Sequence, residues 1–307
     1  MDFTLDQFLG NFAPAIEKIE ENRNYWLVRT ESGAYYNDYT SGNYIAIGWD
    51  EFSNASEFSS EIMSENMANK ISKEYPDKQP GRIYNQIRKF LFDIKIGDVV
   101  MIPSENSRVI NFGIVTSDYI ARENNKVDSC PFIKSKSVNW IKSINRNKLD
   151  PYLFKMMQAH QTINNAKDYA HFIDRTMYSF YEKNEKSYLI LPVNKKEDIP
   201  AFDLSQFINS ITDLVPIINE IFESENDKRD LDIKINVQSP GYVELKSEDK
   251  KLVPRVLALL KFALTTKDDI GEVLEKTSLE KKQLLEKEKL ELKEKFENVK
   301  AKLPKDL

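Results

Sequence analysis

Tyr36, Tyr39 and Trp49, with Asp50 directly behind the tryptophan, are residues whose types and spacing suit the capture of a flat ligand. A flipped or single-stranded nucleobase is held by stacking on aromatic faces, worth about 1–3 kcal/mol per base, and by hydrogen bonds to its polar edge. Asp50 could accept from an exocyclic amine, while Asn85 and Arg88, on one side of a helix, could meet a base edge or a phosphate. Bases also gather in two runs. Lys78, Arg82, Arg88, Lys89 and Lys95 face a single acid, Asp93; Lys134, Lys136, Lys142, Arg146, Lys148 and Lys155 face Asp150. Within the second run Lys142, Arg146 and Lys148 are the candidate phosphate contacts, because clustered cations neutralise a nucleic-acid backbone. Both runs also fit ordinary solvated faces. Trp26 and Trp140 read as core aromatics of a small barrel, whereas for Trp49 the core and stacking readings both stay open. Asp98 reads as a turn residue.

Asp232 with Glu244-Leu245-Lys246 outlines another chemistry. Two carboxylates can hold Mg²⁺ while a lysine steadies the charge that develops on a scissile phosphate. The same residues fit a plain hairpin strand with Glu244 and Lys246 outward and Val243 and Leu245 inward. That plainer pattern is preferred, so no catalytic residue is expected, and no Gly-rich phosphate loop or Gly-x-Ser-x-Gly elbow is present.

Composition narrows the field. At 307 residues the chain suits two cores better than one, and 41% hydrophobic with 30% charged residues describes a globular protein. Cys130 excludes an intrachain disulfide, and with His160 and His171 as the two histidines a Cys/His zinc cluster cannot be assembled. No cofactor is expected. No apolar run approaches a membrane span and no basic secretory start is seen, so a cytoplasmic location without membrane contact is expected. The net charge of −5 argues against a surface that binds nucleic acid everywhere.

Periodicity supplies the elements. A helix is expected from Leu5 to Ile19, a strand at Tyr25 to Thr30, a turn-rich aromatic loop at Tyr35 to Tyr39, and helices at Phe58 to Tyr75 and Ile83 to Phe92. Gly97-Asp98 opens a buried strand through Ile102; a further strand runs from Pro131 to Trp140 and a closing helix from Pro151 to Phe172. Farther on, a strand at Ser187 to Val193, a helix at Leu204 to Phe222, a hairpin of Asp232 to Val237 with Tyr242 to Lys246, and helices at Val253 to Leu264 and from Ile270 onward are expected. The last helix carries Leu285, Leu292 and Val299 seven apart, interrupted by Lys289, which fits a packed surface helix and a coiled coil equally.

Tyr25-Trp26-Leu27-Val28, Ala46-Ile47-Gly48-Trp49, Lys95-Ile96-Gly97-Asp98-Val99, Gly113-Ile114-Val115 and Val138-Asn139-Trp140 followed by Arg146 occur in an order that resembles the PUA-like domains of the EVE type. It resembles especially the version found at the N-terminus of Mrr-like restriction and other prokaryotic defence proteins. The resemblance implies a PUA-like mixed β-barrel with helices (22–175); with the periodicity of the flanking segments the expected fold is α+β, with an N-terminal helix (1–21), a small α+β domain (176–268) and a charged C-terminal helix (269–307) that belong to no recognised family. It implies recognition of a base in DNA or RNA that carries a modification, in antiviral defence, with Tyr36, Tyr39, Trp49, Asp50, Asn85 and Arg88 around the base. The C-terminal part would couple to an effector protein or self-associate into a homo-oligomer through its last helix. A Mg²⁺-dependent nuclease using Asp232, Glu244 and Lys246, and a sensor of a free nucleotide, are the alternatives.

Overall fold

The structure, a computed structural model, describes residues 16–122, 130–195, 197–236, 241–265 and 279–305. Two compact units divide the chain: Asn22–Met177, and Met1–Glu21 together with Tyr178–Leu307. The first described strand, β1 (Glu17–Lys18), belongs to the second of these. Both units are mixed α+β.

The Asn22–Met177 unit runs β2 (Tyr25–Val28), α1 (Tyr36–Gly42), β3 (Tyr44–Ile47), α2 (Glu65–Glu74), α3 (Pro80–Arg88), β4 (Val99–Pro103), β5 (Val109–Val115), β6 (Ile120–Ala121), β7 (Lys134–Asn145), α4 (Tyr152–Met156), β8 (Ile163–Asn165) and α5 (Ala170–Met177). Its strands make one curled half-barrel sheet in the order β3-β7-β5-β4-β2-β8, with β6 beside β7. β2 and β4 are parallel, and the other pairs are antiparallel. Every residue of β2 and of β4 is buried, as continuous apolar runs in a sheet covered on both faces must be. Tyr84, Ile87 and Phe90, from α3 and the π-helical turn that continues it, fill the core.

Asp98 fixes the entry into β4. Its carboxylate accepts from Trp26 Nε1 at 2.8 Å, from the Lys95 amide at 2.9 Å and from the Asn24 amide at 3.2 Å, tying β4 to β2. Trp26, 4% exposed, is therefore a core aromatic. Trp140 lies over Gly113, where a Cβ would come within 2.6 Å of its ring, and donates Nε1 to the Tyr39 carbonyl at 3.0 Å.

Several elements differ from expectation for local reasons. The aromatic segment expected as a loop is α1, ended by Asn43 in the left-handed conformation that stops helices. The helix expected from Phe58 contracts to α2, because Ser60 accepts from the Ile62 amide and Ser64 caps Met67, side-chain bonds that compete with the helical ladder. The expected closing helix breaks into α4, β8 and α5; Arg29 takes the carbonyls of Met157 and Ala159, and the chain turns back to pair with β2.

The other unit holds a sheet ordered β1-β9-β10-β12-β11, made with β9 (Phe180–Lys183), β10 (Lys186–Val193), β11 (Asp232–Asn236) and β12 (Gly241–Ser247). Asn184 and Glu185, both at positive φ, make the two-residue turn that closes β9 on β10. Helices α6 (Ala201–Thr212), α7 (Leu214–Phe222), α8 (Leu252–Thr265) and α9 (Leu279–Val299) complete it. The helix expected from Leu204 to Phe222 is thus two, divided at Asp213. Residues 1–15 of the expected N-terminal helix and the start of the last one lie outside the described residues; Glu17–Lys18, at the end of the former, is a strand. Leu285, Leu292, Phe296 and Val299 of α9 are buried in the same cluster as Phe207 of α6 and Leu260 of α8. The seam expected for self-association is therefore used inside the unit.

Candidate functional site

The turn after β3 is under backbone strain. Trp49 sits at φ +59°, a conformation that costs an L residue roughly 1–2 kcal/mol and is rare for a bulky side chain. Lys134, opposite Ile47 in the β3–β7 register and 1% exposed, holds the turn. Its Nζ donates to the Trp49 carbonyl at 2.7 Å and lies 3.3 Å from Asp50 Oδ1, while both Asp50 oxygens accept from the Ile133 amide at 3.3 Å. Burial pushes the Lys134 ammonium down and the Asp50 carboxylate pulls it back up. Trp49 itself is half-buried, and the Tyr119 phenol is pushed up by burial and by the charge of Asp50, which places Tyr119 in this neighbourhood.

Lys136 lies two residues along, on the same face of β7 as Lys134. It is 1% exposed, and among the described residues it makes no hydrogen bond or ion pair. Burial lowers its pKa, opposed by the charges of Asp118 and Asp98. Asp98 is already committed to its own donors. An ammonium whose N–H groups find no acceptor among the described residues is a donor that suits a ligand oxygen.

The structure scatters the other expected residues. Asp50, expected to accept from a base, is engaged by Lys134 and the Ile133 amide. Tyr39 is fully buried with its hydroxyl donating to the Ala46 carbonyl at 2.7 Å, which removes its ring from any ligand. Tyr36 is half-buried and donates to Asn111 Oδ1 at 2.7 Å. Arg88 pairs with Asp93 at 2.9 Å and Glu61 at 3.5 Å, whereas Asn85 opens onto a separate polar cavity of about 400 Å³ with Arg82, Lys89 and Gln161. Lys142 lies near the far end of β7, eight residues and about 26 Å of strand from Lys134, and Arg146 and Lys148 lie in the turn beyond it, so the three are remote from the residue that holds the Trp49 turn. Tyr119 is not among the expected site residues, and Lys134 and Lys136 are expected only as members of the second basic run. The signal was the alternation Lys134, Lys136, Val138, Trp140, which puts two lysines on the face that carries the core.

In the other unit Glu244, expected outward, is 2% exposed, on the sheet face shared with Tyr188 and Ile190. Asp232 and Lys246 pair across β11 and β12 at 3.3 Å. Among the described residues no group of three or more His, Cys, Asp or Glu side chains could hold a metal ion.

A family model described as a domain of unknown function (DUF8426) matches residues 24–167. That stretch begins one residue before β2 and ends two after β8, so it takes in every strand of the curled sheet. No curated protein and no solved structure matches the chain. Among the described residues no helix is long and apolar enough to cross a membrane.

Proposed function

We propose that the Asn22–Met177 unit is a PUA-like module that reads a nucleobase of DNA or RNA, with Trp49 as the stacking platform. The observation that supports this reading is the strained turn at Trp49, held by a buried lysine and its carboxylate, beside a second buried lysine that makes no ion pair or hydrogen bond among the described residues. Strained conformations persist where the surroundings over-determine them, and they concentrate at ligand sites. Because Asp50 is committed within the protein, Lys136 supplies the edge contact. The base therefore presents an acceptor oxygen, native or introduced by modification. The setting in prokaryotic defence, with an effector protein as partner, follows from the resemblance to EVE-type domains.

A binding screen of modified and unmodified, single- and double-stranded oligonucleotides tests the reading. Trp49→Ala should weaken the best ligand by about 1–3 kcal/mol with the fold retained. Trp26→Ala, as control, should lower stability instead. If Trp49→Ala lowers the melting temperature and leaves affinity unchanged, Trp49 is a packing residue and the reading fails.

A further inference from the structure

At the end of the β5–β7 pair a cavity of about 660 Å³ is lined by Asn106, Arg108, Asn145, Arg146, Asn147 and Phe154. Its frame is tightly built. Val109 pairs with Asn145, and the Arg146 amide donates to the Arg108 carbonyl at 2.8 Å. The Val109 amide also donates to Ser104 Oγ at 2.9 Å. Asn106 and Ser107 both take positive φ to turn the chain at the rim. Two guanidinium groups thus line one concavity. Among the described residues neither forms an ion pair or a side-chain hydrogen bond, and the three asparagine amides are equally uncommitted. The guanidinium of Arg146 stands 5.6 Å over the ring of Phe154.

We infer that this cavity is a second binding site, for a phosphate ester carrying a planar base: a nucleotide, free or within a strand. Two guanidiniums lining one concavity, with no ion pair to either among the described residues, suit an anion, and a guanidinium fork matches phosphate oxygens in a bidentate manner. Asparagine amides offer a donor and an acceptor side by side, the pattern that reads the edge of a base. Phe154 under Arg146 provides an aromatic surface against which that base packs. The site is independent of Trp49 and stands or falls without it.

Titration of the full-length chain with adenosine 5′-monophosphate, with an oligothymidylate of about 12 nucleotides and with inorganic phosphate tests the inference. Arg108→Ala and Arg146→Ala should each weaken nucleotide binding about tenfold, and Arg146→Lys should recover part of the loss, because lysine restores charge without the fork. Phe154→Leu, which keeps an apolar side chain, should reduce binding of both base-carrying ligands and leave inorganic phosphate unaffected. The losses in Arg108→Ala and Arg146→Ala separate this site from the Trp49 turn, which is not part of its lining. Oligonucleotide binding that is tighter and more salt-dependent than mononucleotide binding assigns the site to a strand; equal affinities assign it to a free nucleotide. Affinities unchanged in both arginine variants, with folding confirmed by circular dichroism, would overturn the inference. So would inorganic phosphate competing as well as the mononucleotide.

Discussion

The two ends of β7 carry the same residue types in opposite settings. Lys134 and Lys136 at its start are buried in the sheet's interior, one bound to Asp50 and the Trp49 carbonyl, the other with no hydrogen bond or ion pair among the described residues. Lys142 near its end is half-exposed, and Arg146 and Lys148 beyond it are exposed. A cation in water is nearly neutral for stability and adds long-range attraction. A cation removed from water persists only where something holds it or uses it. The first end is therefore where substitution should change folding, and the second where it should change only association.

The largest effect is expected from Lys134→Met. Losing the bond to the Trp49 carbonyl and leaving Asp50 without its counter-charge should cost about 2–3 kcal/mol, measured by urea unfolding, after discounting for the partial exposure of Asp50. A cost no larger than that of a surface lysine would remove the contrast between the two ends. Next comes the strained turn. Trp49→Gly should be more stable than Trp49→Ala by about 1 kcal/mol, since glycine accepts positive φ and alanine does not. Equal stabilities would mean that the backbone relaxes and that no strain is held there.

Lys136→Met should move stability the other way. The folded chain holds this ammonium below its ordinary value, so between the lowered and the unfolded pKa the unfolded chain binds more protons and stability rises with pH. The variant lacks that dependence. It should exceed the wild type by about 1 kcal/mol at neutral pH, with the excess shrinking as pH approaches about 10. Denaturant midpoints across that range measure it, and a constant difference would show that Lys136 is solvated in practice. Ligand affinity should fall in the same variant. The smallest stability change, within about 0.5 kcal/mol, belongs to the triple alanine variant of Lys142, Arg146 and Lys148. Its signature is a flatter dependence of single-strand affinity on salt, by about 2 in logarithmic slope for three lost phosphate contacts.

The comparison also shows what the sequence could carry. Strands such as Val99–Pro103 and the β11–β12 hairpin were legible because a continuous apolar run or an alternation survives any tertiary setting. Trp26 and Asp98 were legible as core and turn for the same local reasons. Asp50 and Tyr39 were not, because their roles depend on Lys134 and Ala46, partners fixed by strand register rather than by proximity in the chain. The run from Lys134 to Lys155 has uniform charge but two environments, and only the inward alternation before Trp140 marks the difference. The breaks at Ser60 and after Met156 are set by side-chain bonds that compete with a helix, a choice that composition leaves open.

β1 pairs in parallel with β9, Glu17 opposite Tyr181, although those partners lie 164 positions apart in sequence. The whole half-barrel unit is thus threaded between two strands of another sheet, as an insertion. During synthesis the half-barrel can be complete while its host still waits for the second half of its sheet, and the early strand must remain unpaired meanwhile. Such long closure slows the host's folding relative to its guest. Removing the first 21 residues should therefore damage the unit at the opposite end of the chain, whereas joining Glu21 directly to Tyr178 should excise the half-barrel and leave its host able to fold faster.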